Sequence, residues 1–90
     1  MRYSYDPEKK TANLKKHGFN FDNAKQVIES AQTVTFEDRR FDYGETRYLT
    51  LGLLQDIVVI ITTVETNKTI RIISMRKADK HEQKIYYENH

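Results

Sequence analysis

The chain has no cysteine and no tryptophan, one proline and three glycines in 90 residues. Without cysteine there can be no disulfide framework, no thiolate metal site and no thiol nucleophile. The glycines, Gly18, Gly44 and Gly52, are too scattered to form a phosphate-cradling loop. Long apolar runs are missing as well. The longest, Ile57 to Ile61, has the length of a strand and falls far short of a membrane span. No H-x-x-x-H pair, carboxylate ladder or calcium loop occurs, so neither a metal nor any other cofactor is expected. No basic, apolar, small-residue leader opens the sequence, and a cytoplasmic address without membrane contact is the expectation. A net charge of +2 permits a local basic patch but does not by itself predict nucleic-acid binding.

What is present describes a globular protein. Ninety residues, 31% charged and 38% hydrophobic, suit one domain spanning 1–90 with one modest core. Met1 to Tyr5 alternates and reads as a short strand. Asp6-Pro7 starts a helix, with Asp6 as N-cap and Pro7 at the first helical position, where its missing N–H costs nothing. Gly18 supplies the left-handed residue that ends this helix after His17. Asn20 can cap a second helix whose buried stripe is Phe21, Ala24, Val27, Ile28 and Ala31.

Beyond Gln32 the period becomes two. Thr33 to Phe36 reads as a strand, and Glu37 to Tyr43 as a charged connection. Thr46 to Leu53 alternates, and Ile57 to Thr63 is nearly all β-branched, as suits a central strand covered on both faces. Turn chemistry at Gln55-Asp56 and at Glu65-Thr66-Asn67 predicts hairpins. Residues 70–76 form a last strand, and Asp79 with Glu82 has the spacing of a capping box that opens a closing helix. The expected fold is α+β, with two N-terminal helices and a C-terminal helix packed on one face of an antiparallel sheet of about four strands.

Several side chains can carry chemistry, each with a structural alternative. Arg71 and Arg76, five positions apart, fall on opposite faces of the strand, with Arg76 beside Ile70, Ile72 and Ser74 and Met75 on Arg71's side. At a strand end Arg76 suits bidentate phosphate binding, or it pairs with a nearby carboxylate. Lys9, Asn13 and Lys16 share one helical stripe, either a cationic groove wall or a solvated face. His17 is the obvious acid/base near them, or a helix-capping imidazolium. Glu45 and Arg47 share a strand face as a simple pair. Glu82 reads as a capping-box partner, and Tyr86 as a buried aromatic one turn beyond it.

Taken in order, Tyr5-Asp6-Pro7, Lys9, Asn13-Leu14, Lys16-His17-Gly18, Gly44-Glu45-Thr46-Arg47, Arg71-Ile72-Ile73-Ser74-Met75-Arg76, Ala78, Glu82 and Tyr86 resemble the BrnT family of toxins from type II toxin–antitoxin modules. The resemblance covers Tyr5 to Tyr86. Tyr5 stands where the family usually has Trp, and Met75 where a small residue is common. Membership implies a RelE-like fold, a metal-independent endoribonuclease, and a partner antitoxin (BrnA-like and DNA-binding) in a hetero-oligomer that touches DNA only through that partner.

Metal-free RNA cleavage proceeds by attack of the 2′-hydroxyl on the adjacent phosphorus. It needs a base, cations for the developing charge and an acid for the leaving oxygen. The expected assignment gives Arg76 and Arg47 the scissile phosphate and His17 the acid/base role. Lys9 and Lys16 steer the RNA backbone, with Glu45 and Tyr86 as supporting residues. The alternatives are a non-catalytic RNA- or antitoxin-binding module that keeps the fold, and a DNA-binding regulator. The second is disfavoured because no helix reads as a recognition helix.

Overall fold

Asp6 begins the first helix as its sequence requires. In the computed structural model, which describes residues 2–40 and 44–89, the Asp6 side chain accepts a hydrogen bond from the Glu8 N–H. Helix α1 runs Pro7–His17 and ends at Gly18, whose φ of 78° is open to a residue without Cβ. Before it lies β1, Arg2–Tyr5. After it come a 3₁₀ turn, Phe21–Asn23, opened by the Asn20 side chain, and a short α2, Ala24–Ile28. Strands β2 (Val34–Asp38), β3 (Arg47–Leu54), β4 (Ile57–Glu65) and β5 (Thr69–Lys77) follow, then α3, Lys80–Asn89. Met1, and residues 41–43 of the expected charged connection, lie outside the described residues.

The sheet corrects the expected one. It has five strands in the order β1-β5-β4-β3-β2, and it is mixed, because β1 pairs parallel with β5 while the other pairs are antiparallel. Strand β4 is central, as its β-branched run predicts. Glu37 and Asp38 belong to β2, opposite Tyr48 and Arg47, and not to a connection. The second helix is also shorter than expected. It buries Phe21, Ala24 and Val27, but Ala31 lies beyond its end and is exposed.

The helices do not share one face. Alternate residues of β4 point to opposite sides, and each side has its own cluster. The first face packs Val59, Ile61, Ile70, Ile72 and Met75 against Phe21, Ala24 and Val27. Gly52 sits at its closest approach, where a Cβ would come 2.6 Å from Val27 Cγ1. The second face packs Leu49, Leu51, Val58 and Ile60 against Ala78 and Tyr86, at α3.

Register then changes the placement of the arginines. Thr62 pairs with Ser74, but Thr63 pairs with Ile72, so Ile73 is an extra residue in β5. A β-bulge of this kind shifts the alternation by one. Ile70, Ile72 and Met75 therefore share the first face, and Arg71, Ser74 and Arg76 share the second. The expectation that Arg71 and Arg76 oppose each other, with Met75 on Arg71's side, fails because it assumed an unbroken pleat.

Candidate functional site: an arginine-bearing sheet face

On the second face the register builds cross-strand rows. One row reads Asp38, Arg47, Val64, Arg71; the next Phe36, Leu49, Thr62, Ser74; the next Val34, Leu51, Ile60, Arg76. Helix α3 packs over the apolar rows, leaving the Asp38–Arg71 row at the other end of the face. Arg71 and Arg76 stand two rows apart, about 13 Å along the sheet at a rise of ~3.3 Å per residue. Val64, between Arg47 and Arg71, is 93% buried, as expected beneath the aliphatic stems of its neighbours.

Carboxylates hold these guanidinium groups in two clusters. Glu45 bridges Arg47 at 3.5 Å and Arg71 at 3.2 Å, tying β3 to β5 across β4. Arg76 grips Glu82 with its fork, Nη1 to Oε1 at 2.8 Å and Nη2 to Oε2 at 2.9 Å, and Nη1 also donates to the Lys77 carbonyl. Glu82 meanwhile completes the capping box: its Oε1 accepts the Asp79 N–H, and its own N–H donates to Asp79 Oδ1 at 2.7 Å. One carboxylate therefore starts α3 and aims Arg76. The Arg76 hydrogen bond holds the Glu82 carboxyl below its ordinary value against the opposing effect of burial, and the same bond raises Arg76. Arg40, paired in turn with Asp38 through Nε at 2.9 Å and Nη2 at 3.0 Å, adds its charge to this cluster.

The arrangement offers several charged donors on a rigid sheet, suited to an extended polyanion. Phe36, 38% exposed in the middle row, adds an aromatic surface on which a base can stack.

The structure brings together some of the expected site residues and separates others. Arg47, Arg76, Glu45 and Tyr86 belong to the second face. Tyr86 is fully buried, its hydroxyl donating to the Gln32 carbonyl at 3.0 Å, and burial raises its pKa. Lys9, Lys16 and His17 lie on α1. That helix is fixed by Asn13, whose side chain exchanges two hydrogen bonds with the Met75 backbone, 2.8 and 3.1 Å, and donates a third to the Phe19 carbonyl. Strand β1 stops opposite Ile72, so the Asn13 amide continues the sheet edge where the backbone partner ends. Asn13 thus anchors the Lys9–Lys16 stripe, and both lysines are exposed. Toward its C-terminus α1 meets the β3–β4 turn, with Leu14, Gly18, Phe19, Leu54, Gln55 and Ile57 lining a shallow cavity.

Arg71, Arg40 and Glu82 were not expected as members of this cluster. For Arg71 a signal existed: the adjacent Ile72 and Ile73 break the alternation and mark the bulge. Among the described residues no group of three or more His, Asp or Glu side chains is gathered as a metal site would require, and no helix is long and apolar enough to cross a membrane.

Compared with known families, residues 5–82 match one described as the ribonuclease toxin, BrnT, of type II toxin–antitoxin systems. No curated protein matches the chain.

Proposed function

The chain belongs to the BrnT family of ribonuclease toxins, and from that premise we propose that it is a metal-independent endoribonuclease acting through its arginine-bearing sheet face. RNA is cut by its own 2′-hydroxyl, which attacks the adjacent phosphorus. Arg76 and Arg47 bind phosphate on this face, with Arg71 as a third cation, and stabilise the charge that develops on the phosphorane. The observation that carries this reading is the bulge at Ile73, which turns Arg71 and Arg76 to the side that already holds Arg47. Lys9 and Lys16 steer the strand from α1. His17, the last residue of that helix, is the acid/base in this reading, for a strand that extends from the arginine face to α1.

A type II toxin implies an antitoxin. The partner proposed here is a BrnA-like, DNA-binding protein that covers the cationic surface in a cytoplasmic hetero-oligomer of more than two chains. DNA is reached through the partner only.

Incubation of the purified protein with single-stranded RNA in excess EDTA tests the chemistry. Cleavage should persist and leave 2′,3′-cyclic phosphate and 5′-hydroxyl ends. Loss of activity with chelator, or 5′-phosphate ends, contradicts the mechanism. Retention of intact RNA at every time point would identify a binding module without catalysis.

A further inference from the structure

Among the described residues, three carboxylates stand beside the arginines of the second face, and they differ in how firmly they are held and how open they are. Asp38 has a side chain only 2% exposed, closed off by the fork and the backbone N–H of Arg40. Glu45 is 33% exposed and spans two arginines by single longer contacts. Glu82 is 16% exposed and fixed by three hydrogen bonds to its carboxylate, two on Oε1 and one on Oε2. Oε2 therefore keeps acceptor capacity. Of these three, Glu82 is the one that is both rigid and reachable, as a group that meets a substrate proton in a fixed geometry must be.

We propose that Glu82 is the proton acceptor of the cleavage, taking the 2′-hydroxyl proton while Arg76, the side chain that holds it, binds the scissile phosphate. The inference rests on the cleavage proposed above. Arg76 spends one edge of its guanidinium, Nη1 and Nη2, on Glu82. The Nε edge belongs to the other side of the same planar fork and is the one that faces phosphate. The groups whose charge or dipole bears on Glu82 are Arg76 from β5, Arg40 from the end of β2, and the Asp79 N–H at the start of α3.

The step balances without a co-reactant. The proton passes from the 2′-oxygen to Oε2, the 2′-oxygen bonds to phosphorus, and the bond from phosphorus to the 5′-oxygen breaks. The 5′-oxygen takes a proton from water, and the hydroxide so formed is neutralised by protonated Glu82. As charge builds on the phosphorane, Arg76 is drawn toward it and its hold on Glu82 loosens. The carboxylate thereby becomes more basic as the proton arrives.

The experiment compares Glu82→Gln with wild type, using the full chain, single-stranded RNA and EDTA, and an all-2′-O-methyl RNA strand as the uncleavable probe. Glutamine keeps the capping box and an acceptor for Arg76. The cleavage rate should fall about 100- to 10,000-fold, the contribution of general acid–base catalysis. Affinity for the 2′-O-methyl strand should stay unchanged, and the acid limb of the wild-type pH–rate profile should vanish. Glu82→Asp keeps a displaced base and should cleave faster than Glu82→Gln at matched thermal stability. The inference is overturned if Glu82→Gln cleaves at the wild-type rate. It is also overturned if rate and affinity fall together, which would make Glu82 a positioning residue for Arg76, or if the two variants cleave equally. If wild type leaves RNA intact, the proposed function itself fails, and this inference with it.

Discussion

Beneath α2 and the 3₁₀ turn before it the sheet presents Val59, Ile61, Ile70, Ile72 and Met75, an apolar surface sealed by Phe21, Ala24 and Val27. The opposite side of the same strands starts the same way under α3 and then gives over to Arg47, Arg71 and Arg76 with Glu45 and Glu82. One face makes the fold, and the other divides its area between fold and charge. Period two allows this segregation, because neighbours in sequence serve different surfaces. In β5 the boundary is drawn by one extra residue, Ile73. Without the bulge, Arg71 and Arg76 would oppose each other, and one of them would enter the apolar side.

The two faces should therefore separate in mutagenesis. The largest effect falls on the charged side. Arg76→Ala should lower RNA cleavage about 100- to 1000-fold, the usual loss for a donor to developing charge. Its pair with Glu82 is partly solvated, with the arginine side chain 36% exposed, so the stability cost should stay within about 1 kcal/mol. Arg76→Lys should not restore full activity, since a point charge cannot reproduce the fork. Single-turnover rates and thermal melts decide this. An alanine variant that unfolds, or that cleaves normally, makes Arg76 a strand-end prop.

Next in size is Asn13, which acts on the other side. Asn13→Ala leaves the Met75 N–H and C=O without their side-chain partner at the point where β1 has ended. Each orphaned group costs about 1–3 kcal/mol, measurable by denaturant titration. The fraction that remains folded should cleave at the wild-type rate. A large loss of cleavage at full stability would mean that Asn13 itself takes part in the chemistry.

The smallest effect concerns Lys9 and Lys16. Reversing both to Glu should leave melting and the intrinsic cleavage rate nearly unchanged while slowing association with the antitoxin at low salt. Unchanged on-rates in stopped-flow mixing would mean that the antitoxin docks elsewhere.

Much of the fold was legible in the sequence because local chemistry determines it. Asp6-Pro7 and Gly18 bound α1, Asp79 and Glu82 start α3, and the β-branched run marks central β4. What escaped was non-local. Four residues before Asp6 cannot announce that they will pair parallel with β5, far away in sequence. The split of helices between the two faces follows from strand order, which periodicity does not encode. The candidate site is half legible: Arg47 and Arg76, both candidates from the sequence, share a face. Arg71 was misplaced by counting positions instead of following the apolar phase through Ile72 and Ile73. Glu82 reads in sequence only as a cap, because the same carboxylate satisfies the local motif and the arginine six residues earlier.

The most direct test of the arginine face as the RNA surface is an NMR titration of the protein with a short RNA strand methylated at every 2′-oxygen, which binds but cannot be cut. The guanidinium signals of Arg47, Arg71 and Arg76 should shift first and furthest, with the amides of β3 and β5 moving in step. Shifts confined to Lys9, Lys16 and His17 on α1, with those arginines silent, would contradict it.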